Sequence, residues 1–242
     1  MTKDEFILEC KRGFELNSLP CSDVEADQLF LLTERMLDVN KSLNLTAIKE
    51  EKAIIFKHYV DSVTISGLIP ERASVIDVGC GAGFPTLPLA VFRPDLRITA
   101  LDGTAKRINY VSETAKYLKL SGVTAVAARA EELANTCGHR ESYDVATARA
   151  VASLPVLCEL VLPFVKIGGK MLAMKSQQAG DELELALNCI KLCGGVVESL
   201  VACDLILPDG TNESRNIVII KKVKKTPPLY PRHYSKISKK PL

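Results

Sequence analysis

The sequence predicts an α/β domain: a mostly parallel sheet with helices on both faces, preceded by a small helical cap. Three observations predict it. Apolar strand-like runs alternate with helical patterns along most of the chain. One such run, Ser74-Val-Ile-Asp-Val78, passes straight into a loop with three alternating glycines, Gly79, Gly81 and Gly83. Polar residues recur just beyond the strands, at the edge where such sheets bind ligands.

The chain has 242 residues, enough for one sizeable α/β domain with an appendage. A hydrophobic share of 47% with 25% charged residues is that of a soluble globular protein. The longest apolar stretch, 151–165, is broken by Pro155, Glu159 and Pro163, so no membrane span is expected. Residues 1–6 have no basic start followed by an apolar run, so no signal peptide is expected either. A cytoplasmic monomer is the expectation.

The elements follow in order. Residues 4–19 read as a helix with Phe6, Ile7, Cys10, Phe14 and Leu16 on its apolar side, closed by Pro20. Ser22 and Glu25 form a capping box for a second helix that carries Val24, Leu29, Leu32, Met36 and Leu37. After the connector 43–48, a third helix over about 50–66 carries His58, read as a packing histidine, and Asp61. Residues 1–66 thus form the cap, 67–223 the sheet domain and 224–242 a tail.

In the glycine loop, Val75, Ile76 and Val78 suit a strand covered on both faces, and the glycines let the backbone turn and approach a ligand. Pro85 fits the first turn of the next helix. The dinucleotide fingerprint G-x-G-x-x-G is not met, because Phe84 stands where its last glycine would fall. With Asp77 before the first glycine, the loop resembles the cofactor loop of S-adenosylmethionine-dependent methyltransferases.

A second strand, 96–102, ends in Asp102, placed to accept hydrogen bonds from the two ribose hydroxyls of an adenosine. Lys106 and Arg107 open the helix that follows. Strands at 123–127, 143–147 and 171–174 are followed by Glu131, Arg149 and Lys175, and a helix over 181–192 and strands near 196–201 and 217–220 complete the set. Right-handed βαβ crossovers would bring Asp102, Glu131, Arg149 and Lys175 to one edge.

Eight cysteines occur without a C-x-x-C pair, which predicts buried thiols and no metal site. From Ser214 onward there are nine basic residues and no acidic one, on a body that is otherwise acidic. Such an arm suits a polyanionic partner or serves as a solubilising tail. Tyr230 and Tyr234 within it either stack on bases or pin the tail to the body.

From about residue 39 onward the chain resembles the glucose-inhibited division protein B family, the 16S ribosomal RNA guanine-N7 methyltransferases of bacteria. The matching pieces are Asn44-Leu-Thr-Ala-Ile48, the H-x-x-D-S run His58–Ser62, the loop Asp77–Pro85, Asp102 with Lys106-Arg107, Arg129-Ala-Glu131, Ala148-Arg-Ala-Val-Ala152, Met174-Lys175, Arg215, and Tyr230-Pro-Arg232. It departs from the usual pattern at Val39, Thr86, Gly103 and Ser176.

The resemblance implies a Rossmann-like class I methyltransferase, with S-adenosylmethionine as methyl donor and small-subunit ribosomal RNA as partner. It implies cofactor contacts at Gly79, Gly81, Phe84, Asp102, the backbone of Ala130 and Glu131, and Arg149. Lys106, Arg107, Lys175 and Arg215 are the expected phosphate contacts, and no catalytic acid or base is expected. A methyltransferase for a small molecule or protein, and a non-catalytic ribosome-assembly factor, are the alternative readings.

Overall fold

The computed structural model describes residues 1–242. Helices α1 (Lys3–Leu16) and α2 (Asp23–Leu43) both start on reciprocal capping boxes, Thr2 with Glu5 and Ser22 with Glu25. The first helix stops at Leu16 rather than running to 19. Asn17 leaves the helix and binds Ile206 with its side-chain amide, donating at 3.0 Å and accepting at 2.8 Å.

The third predicted helix is interrupted. A turn, α3 (Glu51–Ile54), leads into a π-helical segment, Ile55–Val60, and then α4 (Asp61–Val63). The Asp61 N–H donates to the carbonyls of Phe56 and His58, not to that of Lys57 four residues back. Such bulges need tertiary support that helical periodicity does not display.

Alternation of strand and helix then continues as β1 (Ser74–Val78), α5 (Thr86–Phe92), β2 (Arg97–Asp102), α6 (Ala105–Tyr117), β3 (Val123–Ala127), α7 (Ala130–Leu133), β4 (Tyr143–Arg149), α8 (Leu154–Val161) and β5 (Val165–Lys175). After α9 (Ala179–Leu192) come β6 (Gly195–Ala202), the small ribbon β7 (Leu205–Ile206) and β8 (Asn212–Glu213), β9 (Asn216–Lys222) and α10 (Tyr234–Lys239). Pro85 sits at the cap of α5 rather than inside its first turn.

The sheet order is β3-β2-β1-β4-β5-β9-β6, and β9 alone runs antiparallel to its neighbours. The order reverses between β1 and β4, which opens the crevice where α/β sheets take ligands. Because β9 runs backwards, its first residue lies at the carboxyl end of β5, with Asn216 opposite Lys175. Arg215, just before β9, therefore joins the same edge as Arg149 and Lys175.

Both faces of the sheet are covered. Ile76, Ala146, Met171, Val218 and Ile220 pack under α8 and α9, while Val75, Ile98, Val145, Leu172 and Ile219 pack on the other side with Leu89. All eight residues of α8 are buried. The cap shares a single apolar cluster with the first βα unit, joining Phe6, Phe14, Leu29 and Met36 to Phe56, Tyr59, Phe84 and Tyr110. Five of the eight cysteines are buried.

Gly83 holds the loop against α5. Its φ is +89°, and a Cβ there would lie 2.5 Å from Leu87 Cδ1. Gly83→Ala is expected to cost about 1–3 kcal/mol of stability, through left-handed backbone strain and the clash, and a lowered urea midpoint checks it.

The tail packs on the body. Arg140 gathers the carbonyls of Thr226, Pro227 and Tyr230 at 2.9–3.2 Å. Arg232 makes a fork with the fully buried carboxylate of Glu159, at 2.8 and 2.6 Å. Lys222 is also buried, between the Leu162 carbonyl and Thr226. Of the nine basic residues after Ser214, Lys222, Arg232 and Arg215 are thus engaged within the protein, whereas Lys221, Lys224, Lys225, Lys236, Lys239 and Lys240 face solvent.

Candidate functional site

The glycine loop is tied to β2. The N–H groups of Gly79 and Cys80 both donate to the Leu101 carbonyl, at 2.7 and 3.0 Å. Asp102, at the end of β2, accepts from the N–H of Gly81 at 3.1 Å and of Thr104 at 2.8 Å. The carboxylate expected at a ribose therefore also fixes the loop beside it.

A cavity of about 240 Å³ opens here, lined by Gly79, Asp102, Thr104, Arg107, Ala130 and Glu131 among others. At Gly79, φ is +77° and a Cβ would meet Val151 Cγ2 at 2.6 Å, so the loop needs glycine to stay open. Asp77 lies behind it, fully buried. One of its oxygens accepts from the Thr86 hydroxyl at 2.6 Å and the other has no partner. Burial pushes its carboxyl up to about 6. Thr86, one of the departures from the family pattern, thus supplies the partner that this carboxylate has.

A second cavity, of about 430 Å³, lies at the ends of β4 and β5. Lys57, His58, Asp61, Arg149, Lys175, Ser176, Glu182 and Arg215 line it. Asp61 is its hub: one oxygen takes Arg149 Nη1 at 2.6 Å and the other takes Arg215 Nε at 3.0 Å. Arg149 also donates to the Lys57 carbonyl at 3.1 Å, inside the π-helical segment. Lys175 pairs with Glu182 at 2.7 Å and donates to the Ala152 carbonyl at 2.8 Å. Four cations thus face a cavity whose lining carboxylates are Asp61 and Glu182.

The loop leaving β4 divides the two cavities. Arg149 and Ala150 face the second, Val151 faces the first, and Ala150 makes the turn with a φ of +55°. Of the residues expected at the cofactor, Gly79, Asp102, Ala130 and Glu131 line the first cavity. Gly81 reaches it only through Asp102, and Arg149 lies in the second. Phe84 is buried beneath, with the His58 ring stacked on it at 4.4 Å and the Arg149 guanidinium 5.4 Å from its centroid.

Of the expected phosphate contacts, Lys175 and Arg215 line the second cavity already paired. Arg107 lines the first, 3.9 Å from Asp102, and Lys106 is exposed and lines neither. Asp61, Lys57 and Glu182 were not expected in a site, although the H-x-x-D-S run contains Asp61. Their roles come from pairings between distant segments, which no local pattern carries.

His58 is a packing residue and a member of the second cavity at once. An arginine can only donate, so at 3.4 Å from Arg149 Nη2 its Nδ1 is the acceptor, and the ring proton sits on Nε2, 2.9 Å from the Thr46 hydroxyl. Burial, and then the charge of Arg149, lower its pKa from 6.5 to about 3. The folded state therefore favours the neutral ring. The stability this contributes is full above pH 6.5 and is lost as pH falls towards about 3. His58→Gln is expected to flatten the fall in urea midpoint between pH 7 and pH 4.

The architecture and the glycine cradle define the class. Among solved structures, the fold is similar to an O-methyltransferase from Bacillus cereus in complex with SAH, with a TM-score of 0.55 at 13% identity over 91% of this chain and 100% of that one. It is also similar to precorrin-6y C5,15-methyltransferase from Geobacter metallireducens, with a TM-score of 0.51 at 20% identity over 75% of this chain and 91% of the other. The fold is that of the Rossmann-like, class I S-adenosylmethionine-dependent methyltransferases.

Sequence relatives narrow it further. Residues 25–208 match the family described as rRNA small subunit methyltransferase G. A ribosomal RNA small subunit methyltransferase G from Acetivibrio thermocellus is 39% identical, over 98% of this chain and 96% of the relative. Another, from Lactobacillus delbrueckii subsp. bulgaricus, is 41% identical over 91% and 93%. The chain belongs to the rRNA small subunit methyltransferase G family.

Proposed function

We propose that this protein transfers a methyl group from S-adenosylmethionine to N7 of a guanine in 16S ribosomal RNA, acting as a monomer in the cytoplasm. The observation that carries the reading is the pair of cavities at one sheet edge. One has a glycine cradle and an acid suited to a ribose, and the other, across the β4 loop, is rich in cations.

The residues of the first cavity fit the cofactor. Gly79 leaves room where a Cβ would intrude, Asp102 offers its carboxylate to the ribose hydroxyls, and Ala130 and Glu131 present the start of α7. When bound, S-adenosylmethionine supplies an electrophilic methyl group on a sulfonium.

Guanine N7 carries an in-plane lone pair and no proton, so the chain needs neither a general base nor a covalent nucleophile. Its work is to place the acceptor base and exclude water. Orientation of this kind is worth about 7–11 kcal/mol in well-aligned cases. The base must leave its stack to enter such a site. The second cavity is the entry we assign to it, with Arg149 held by Asp61 beside the dividing loop.

Lys106 and the six exposed lysines from Lys221 onward are the sequence-independent phosphate contacts. Lys175 and Arg215 are already paired with carboxylates, so a phosphate reaching them must displace Glu182, or Glu213 and Asp61. RNA affinity is expected to fall by about 0.9 log unit per log unit of salt for each duplex phosphate neutralised. A salt-independent affinity would remove these lysines from RNA binding. The reading itself is tested by incubating labelled S-adenosylmethionine with unmodified small-subunit RNA: label in the RNA is expected, and label confined to protein would overturn it.

A further inference from the structure

The first cavity has a wall that comes from the far end of the chain. Tyr234, the first residue of α10, lines it beside Leu160 and Val151, and its ring is the one aromatic surface there. The guanidinium of Arg129, another lining residue, lies 5.0 Å from the ring centroid.

Tyr234 is not carried by a loose tail. Two residues earlier, the backbone N–H, Nε and Nη2 of Arg232 all donate to the Glu159 carboxylate, at 2.9, 2.8 and 2.6 Å. Glu159 is buried within α8, next to Leu160, which lines the same cavity. Three residues after Tyr234, Ile237 is fully buried in the core beneath the sheet. The ring is thus fixed from both sides in sequence, by an ion pair and by an apolar anchor.

We propose that Tyr234 belongs to the nucleoside site and that its ring is a stacking surface for the adenine of the bound cofactor, with the C-terminal segment acting as the strap that holds it there. This rests on reading the first cavity as the S-adenosylmethionine site. A purine offers a flat π-face, and stacking on an aromatic ring needs no particular hydrogen-bond pattern. The apolar Leu101, Val151 and Leu160 around the ring suit the same guest. The tail tyrosine therefore serves the cofactor rather than the RNA, and Arg232 and Glu159 are positioning residues.

Calorimetric titration of the full-length protein with S-adenosylhomocysteine tests this. Tyr234→Leu, which fills the volume but has no π-face, is expected to weaken binding about tenfold or more, and Tyr234→Phe to leave it unchanged. Arg232→Ala is expected to weaken it as well, by freeing the strap. Binding of ribosomal RNA to Tyr234→Leu in the absence of cofactor is expected to match the wild type. Wild-type affinity for S-adenosylhomocysteine in Tyr234→Leu would overturn the proposal, as would a loss confined to RNA binding. A wild-type protein that fails to bind S-adenosylhomocysteine would instead overturn the cofactor reading, and the strap with it.

Discussion

Replacing Asp102 with alanine is expected to weaken S-adenosylmethionine binding by a factor of at least about one hundred. Two charged hydrogen bonds to ribose hydroxyls are worth about 1.5–3 kcal/mol each, and every 1.4 kcal/mol is about tenfold in affinity. The variant loses more than those bonds, because Asp102 also holds the N–H groups of Gly81 and Thr104 at 3.1 and 2.8 Å. Without the carboxylate the glycine loop loses its tie across the mouth of the cavity. Asp102→Asn keeps one acceptor oxygen and is expected to fall between the two. Titration calorimetry giving wild-type affinity for Asp102→Ala would remove Asp102 from the site.

Asp61→Ala is expected to cost about 3–5 kcal/mol of stability and to abolish methyl transfer while leaving S-adenosylhomocysteine binding in place. Removing one member of a buried ionic cluster leaves its partners charged and uncompensated, and that penalty is of this size. Here Arg149, 15% exposed, loses its carboxylate partner, while Arg215, 24% exposed, keeps Glu213 at 2.8 Å but loses a carboxylate that is only 6% exposed. The two guanidiniums would repel each other beside Lys175. Losing the hub would also free Arg149, which packs against Phe84 and flanks the dividing loop. Urea unfolding at pH 7.5 reads the stability. An unchanged midpoint would mean that the arginines find other partners and that Asp61 is no hub.

These expectations draw unequally on sequence and on tertiary structure. The strand, the three glycines and Asp102 were legible because each is local chemistry. A buried apolar run must be a covered strand, alternating glycines must permit a turn, and an acid after the next strand must face the same edge. The edge that collects Arg149 and Lys175 was equally legible, because strand alternation dictates it, whereas Arg215 joins that edge only because β9 runs antiparallel to β5. Which cavity each side chain enters was not. Arg149 reaches the expected edge but turns into the second cavity, where Asp61 and the Lys57 carbonyl hold its guanidinium, a pairing between distant segments that no residue pattern announced.

The tail shows the same limit from the other side. Its charge pattern was plain, and yet its most informative residues, Arg232 and Tyr234, are spent on Glu159 and on the wall of a cavity otherwise lined by residues between Val78 and Leu160. Glu159 reads in sequence as a flaw in an apolar stretch, whereas in the structure it is the anchor of the strap. The π-helical turn that brings Lys57, His58 and Asp61 to the second cavity is likewise a product of packing rather than of helical periodicity.

The joint assignment of donor, acceptor and atom is tested most directly by identifying the labelled nucleoside. Small-subunit RNA lacking the modification is incubated with the protein and methyl-labelled S-adenosylmethionine, digested to nucleosides and separated by chromatography. The account predicts label in 7-methylguanosine, with little or none from Asp61→Ala or Asp102→Ala protein. Label in any other nucleoside, or no label from a protein that binds S-adenosylhomocysteine tightly, would contradict it.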